Sequence, residues 1–207
     1  MMRYFKRIIL MLIFITLTSL SLKAELTIQE LIFDNSQAYH LKIISAIPEN
    51  GIIQIGDDSA ENTIIEFMDY FCGYCKKVHV ELLELIEERD DTRLVFLQHP
   101  ILSESSKLLA NMVVAANMQN MGIDLHNALF AVEGNLNNLK LQQIIEDLGI
   151  NSAKLNIDMY KEDVNNIVKL SSFIANGSGA RGTPTFFINE EFVVGYVSID
   201  RIKALLK

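Results

Sequence analysis

Residues 66–77 read EFMDYFCGYCKK and hold both cysteines of the chain, Cys72 and Cys75, separated by Gly73 and Tyr74. Two thiols at this spacing can clip a minimal loop, hold a soft metal, or pass electrons by opening and closing a disulfide. A clip gains little, because the closure benefit of a disulfide grows with loop length. Cys72, Cys75 and His79 form a C-x-x-C-x-x-x-H run, but structural zinc takes four ligands, usually with a second paired motif that this sequence lacks. No metal site is therefore expected, although two thiolates suffice for incidental copper(I) binding. Covalent c-type haem fails because Lys76 stands where a histidine is required. His79 reads as a surface residue, and His40, His99 and His126 as ordinary polar residues.

The elements around the pair narrow the choice. TIIEFMDY (63–70) is an apolar run interrupted by Glu66, the pattern of a strand buried on both faces. After the cysteines, Val78, Leu82, Leu85 and Ile86 recur at helical spacing until Asp90 and Asp91 end the helix, and TRLVFLQ (92–98) is a second buried strand. Strand, helix, strand makes a parallel pair. The cysteines thus fall where a buried strand hands over to a helix. Unpaired N–H groups and about half a positive charge at a helix start favour a thiolate, which lowers the pKa of the first cysteine. The second lies one turn on, close enough to resolve a mixed disulfide.

A short strand at IIQIG (52–56) precedes this unit, after a turn at Pro48, Asn50 and Gly51. From about 103 to 178 helical stripes dominate, with Gly122, Gly134 and Gly149 as punctuation and a last helix predicted from about Ile157 to Ala175. TFFI and EFVVGY follow as a hairpin turning at Asn189 and Glu190, and Ser198 caps a closing helix.

The N-terminus is different. Arg3, Lys6 and Arg7 precede an apolar run from Ile8 to about Leu22, the order of a secretory signal at residues 1–24, with cleavage expected after Ala24 and an uncleaved membrane anchor as the alternative. Residues 25–50 read as a helical extension, with Thr27 and Glu30 at capping-box spacing. Removing residues 1–24 takes away four basic residues and leaves 14 against 26 acidic ones, a net charge of −12, which argues against nucleic acid as a partner. A thiol pair in an exported, periplasmic chain meets an oxidising compartment.

Taken in order, the strand, C-x-x-C, helix, strand, helical insertion, Thr183-Pro184, hairpin and final helix resemble the DsbA-like class of thioredoxin-fold thiol:disulfide oxidoreductases. FCGYCK (71–76) and RGTPTFFI (181–188) are most similar to its exported bacterial members of the Com1/ScsC type. The resemblance covers residues 51–207. It implies an α/β thioredoxin fold with a helical insertion between the strand-helix-strand half and the C-terminal hairpin-helix half. It implies Cys72 as nucleophile, Cys75 as resolving thiol, and Glu66 as a buried acid assisting proton transfer. A carboxyl in an apolar strand is costly unless paired or protonated, which agrees with that role. Thr183 and Pro184 correspond to the cis-proline element that offers backbone groups to an incoming peptide, and X-Pro bonds alone adopt cis at modest cost.

No cofactor is implied. The partners implied are unfolded or reduced exported proteins and a membrane or periplasmic redox partner that recycles the thiols. Gly73-Tyr74 departs from the Pro-His pair of strongly oxidising DsbA proteins and, with Thr183, resembles isomerases. Isomerases of this group use an oligomerisation arm, for which residues 25–46 are short, so a dithiol oxidase is the favoured reading. An isomerase or reductase of the same fold stays open, as does an exported chaperone-like or copper-binding protein.

Overall fold

The computed structural model describes residues 37–207. The expected signal segment and the Thr27–Glu30 capping box lie outside the described residues. Helix α1 (Tyr39–Ala46) leads through a single 3-10 turn (Glu49–Gly51) to strand β1 (Ile53–Ile55). Then come β2 (Asn62–Met68), α2 (Gly73–Glu88) and β3 (Thr92–Gln98). Five helices follow: α3 (Glu104–Asn117), α4 (Gly122–Ala131), α5 (Asn138–Asp147), α6 (Ser152–Asp158) and α7 (Glu162–Ser178). Strands β4 (Thr185–Ile188) and β5 (Glu191–Val194) and helix α8 (Ile199–Lys203) close the chain.

The five strands run in the order β1-β3-β2-β4-β5. β2 and β3 are parallel, as a strand-helix-strand unit requires, and the other pairs are antiparallel. β2 and β3 are central and buried along their whole length, which is why both read as nearly unbroken apolar runs.

Alternation along the strands sorts the core into two layers. Ile64, Leu94, Phe96, Phe186 and Ile188 meet Val78, Leu82 and Leu85 of α2 and the apolar faces of α3, α4 and α8. On the other face Ile65, Phe67, Val95, Leu97 and Phe187 pack with Ile43 and Ile47 from the α1 region and Ala175 and Ala180 from the end of α7. Glu66 shares the parity of Ile64, so it belongs to the α2 face.

The helix predicted from Ile157 to Ala175 is two helices. α6 stops at Asp158, whose carboxylate is held by Lys154 and Lys161, and α7 begins at Glu162 after the Lys161 N–H bonds back to the Asp158 carbonyl at 3.0 Å. Neither glycine nor proline marks this break, so the apolar spacing runs across it unannounced. α7 ends at Gly179, whose φ of 99° is the left-handed C-cap that glycine adopts without a side-chain clash.

Candidate active site

Cys72 is the N-cap of α2. It has extended dihedrals, and its sulfur accepts the Cys75 N–H at 3.4 Å, so the side chain takes the place that Ser or Asp occupies at other helix starts. On the opposite side the Cys72 thiol donates to the Thr183 carbonyl at 3.2 Å. The Thr183-Pro184 bond is cis, and the Cys72–Thr183 contact joins the β2–α2 turn to the entry of β4 across 111 residues of sequence. Both cysteines are reduced; Cys72 is 8 % exposed and Cys75 is not exposed at all.

The two thiols are displaced in opposite directions. The Cys75 thiol, followed by Thr183 and the N–H groups of Cys75 and Tyr74, pulls Cys72 down from 9.0 to about 5 against the opposing effect of its own burial. Burial, with Cys72 and Glu66 nearby, pushes Cys75 far above the ordinary thiol range. A single turn of helix therefore separates a thiol of lowered pKa from one of raised pKa.

Glu66 lies beneath them. It stands opposite Phe96 on β3 and Phe186 on β4, and it is 1 % exposed. Burial raises its carboxyl well above the usual range; the Cys75 thiol lies close enough to oppose this, while Cys72 adds to it. Neither carboxyl oxygen has an aligned hydrogen bond, so the neighbouring thiol perturbs the carboxyl without satisfying it. Burial thus raises the acid and the neighbouring Cys75 thiol together.

The sequence reading placed His79 on the surface, and the structure buries it. His40, His79, His99 and His126 are all buried, His79 at 3 % exposure and His126 at zero. His79 follows Cys75 by four residues on the inward face of α2, stacks on Phe130 at 4.8 Å and meets His126 edge-on at 4.9 Å. Burial holds it neutral, with a pKa of about 4, and takes His126 well below its ordinary value. The Tyr70 hydroxyl pairs with His126 Nδ1 at 2.9 Å and receives the Gln98 amide at 3.3 Å. Asp69, Tyr70, Gln98 and His126 are site-proximal residues that spacing alone did not single out. The one sequence signal was Asp69-Tyr70 inside an otherwise apolar strand end.

A cleft of about 190 Å³ opens beside Cys72, walled by Tyr70, Phe71, Lys76, Leu129 and Leu136. Among the described residues no group of three or more His, Cys, Asp or Glu side chains is arranged to hold a metal ion. No described helix is long and apolar enough to cross a membrane.

A model of the DSBA-like thioredoxin domain matches residues 63–207. The chain belongs to this DSBA-like family. Its fold is thioredoxin-like with a helical insertion, and the family's chemistry is thiol–disulfide exchange. A thioredoxin-like oxidoreductase from Silicibacter pomeroyi DSS-3 is similar in structure, with a TM-score of 0.71, 28 % identity, and 76 % of this chain and 91 % of that chain covered. Disulfide bond formation protein D of Bacillus subtilis is 22 % identical over 165 residues, covering 74 % of each chain. A Na(+)/H(+) antiporter NhaA 1 of Salinispora arenicola is 27 % identical over 156 residues, 72 % of this chain. This chain spans only 23 % of that protein's length.

Proposed function

We propose that the protein is an exported, periplasmic dithiol oxidase. Its Cys72–Cys75 disulfide is passed to thiols of unfolded or reduced exported proteins, and a membrane or periplasmic redox partner recycles it. The observation that carries the reading is the opposed displacement of the two thiols, with Cys72 at about 5. A thiolate stabilised in the dithiol state favours that state, and so makes the disulfide an oxidant.

A substrate thiolate attacks Cys72 Sγ, the S–S bond breaks, and the electron pair leaves on Cys75. A buried Cys75 thiolate is unfavourable, and the protonated Glu66 carboxyl beside it supplies the proton. A second substrate thiolate then attacks the substrate's own sulfur in the mixed disulfide. Cys72 leaves as the stabilised thiolate, and the substrate carries away the new disulfide. Thr183 and Pro184 line Cys72 where the substrate backbone must pass, and they are assigned to holding it.

The test is the reduction potential by glutathione equilibrium, paired with oxidation of a reduced protein and repair of a scrambled one. A dithiol oxidase gives a potential above about −180 mV and oxidises faster than it reshuffles. A thioredoxin-like value near −270 mV, or faster repair than oxidation, would overturn the direction assigned here.

A further inference from the structure

Asp69 is 1 % exposed and sits at the join between β2 and α2. Its Oδ1 accepts the Phe71 N–H at 2.9 Å, and its Oδ2 accepts the N–H groups of Ile101 at 2.9 Å and Leu102 at 3.0 Å. Its carbonyl accepts the Cys72 N–H at 3.0 Å, and a backbone group of Asp69 also lies against the Cys75 thiol. One residue thus touches both cysteines and reaches a loop more than thirty positions away.

The three residues that donate to the carboxylate share a second property. Phe71, Ile101 and Leu102 are 47 %, 45 % and 54 % exposed. Their side chains face water, so apolar burial does not anchor either the 69–72 turn or the 99–102 loop at these positions. Hydrogen bonds to a shared, buried carboxylate hold these positions, and such charge-assisted bonds are short and directional; the His99 N–H bond to the Met68 carbonyl at 2.9 Å ties the same loop to the end of β2.

We propose that Asp69 is a positioning residue for the thiol chemistry: it locks the 69–72 turn to the 99–102 loop and so fixes where Cys72 Sγ stands between the start of α2 and Thr183. The proposal rests on Cys72 being the nucleophile. The sulfur receives the Cys75 N–H at 3.4 Å and reaches the Thr183 carbonyl at 3.2 Å, so where the turn holds it decides whether both partners are in contact. The Cys72 backbone itself is tied upstream through the Asp69 carbonyl and downstream through its own carbonyl, which accepts the Lys76 N–H at 3.0 Å.

Charge and geometry pull in opposite directions here, which makes the role measurable. Removing a nearby negative charge by itself favours a thiolate and lowers the Cys72 midpoint. Losing the lock withdraws N–H donors from the sulfur and raises it. The experiment is the pH dependence of iodoacetamide alkylation at Cys72 in the reduced full chain, for the parent, Asp69→Ala and Asp69→Asn, with urea unfolding measured alongside. Cys75 and Glu66, the other titratable groups facing Cys72, stay in place. Asp69→Ala is expected to raise the midpoint by about one pH unit, a tenfold loss of thiolate at a fixed pH below it. Asp69→Asn, which keeps one acceptor oxygen, is expected to fall between Asp69→Ala and the parent.

A folded Asp69→Ala whose midpoint matches the parent's or falls below it, with only its urea stability reduced, overturns the proposal. Should Asp69→Ala not fold, an Asp69→Asn midpoint at or below the parent's does the same. A parent midpoint near 9 would instead overturn the reading of Cys72 as an activated nucleophile, a failure distinct from that of Asp69.

Discussion

Strand β2 carries two regions of the molecule on its two faces. Ile65 and Phe67 enter a layer of Val95, Leu97, Phe187, Ile43 and Ile47 in which the cluster is apolar and fully packed. Glu66 and Met68 turn the other way, towards α2, where Met68 packs with both cysteines and Phe130. On that side the Glu66 oxygens, both His79 nitrogens and His126 Nε2 lack hydrogen-bond partners. Both faces of the strand contribute to the core, Ile64 through the α2 face and Ile65 and Phe67 through the other, but the α2 face alone also carries the thiols. Unsatisfied buried polar groups reduce stability, and here one of them, Glu66, lies against the Cys75 thiol that must change its protonation state.

The comparison breaks most sharply at the nucleophile. Cys72→Ser is expected to abolish both oxidation of a reduced protein and reduction of insulin while leaving the fold intact; retained activity in either assay would remove Cys72 from its role. On the opposite face, Phe67→Ala deletes a fully buried ring and is expected to lower stability by about 3–5 kcal/mol in urea titration, with the Cys72 midpoint unchanged. A shifted midpoint there would mean that the two faces are not independent.

Glu66→Gln should do the reverse, slowing turnover by about 100-fold while making the oxidised protein more stable at pH 8. The folded-state pKa of Glu66 is raised, so the wild type is not penalised below the unfolded value near 4.5. It loses stability as pH climbs above that value, because the folded state keeps a proton that the unfolded state releases. The gain from glutamine should therefore vanish at pH 4; an equal gain at both pH values would assign it to packing.

The sign is opposite for Cys72, whose folded value is depressed to about 5 from 9.0. Relative to Cys72→Ser, the reduced protein should gain stability as pH rises from about 5 to 9, because the unfolded chain holds the proton longer. A flat difference across that range would show that the thiolate is not stabilised. The smallest effect is expected from Tyr70→Phe, which removes the hydroxyl between Gln98 and His126 and should cost about 1 kcal/mol with little change in turnover.

Local chemistry made one part of this site legible. The thiol pair, the lone acid in an apolar strand and the Thr-Pro before a hairpin each signal themselves within a few residues, and the fold class followed from the order of strands and helices. Residues that work through distant partners did not. His126 meets Tyr70 across 56 positions and Asp69 reaches Leu102 across 33, so neither pairing has a periodicity to betray it. His79 was read as a surface residue because polar residues usually are; Phe96 of β3 and Phe130 of α4 enclose it together with His126 instead. The α6–α7 break escaped because a lysine-flanked aspartate ends the helix there without a breaking residue.

The cap of α2 has a further consequence. In most proteins the oxygen that closes the first turn of a helix is a bystander, but here the acceptor is the reacting sulfur. When Cys72 becomes bonded to another sulfur it loses the charge that makes it a good acceptor, and the Cys75 N–H loses its best partner. The start of the helix thereby becomes a reporter of electron count. Hydrogen exchange at that one amide, slow in the dithiol and faster in a trapped mixed disulfide, would tell the two states apart.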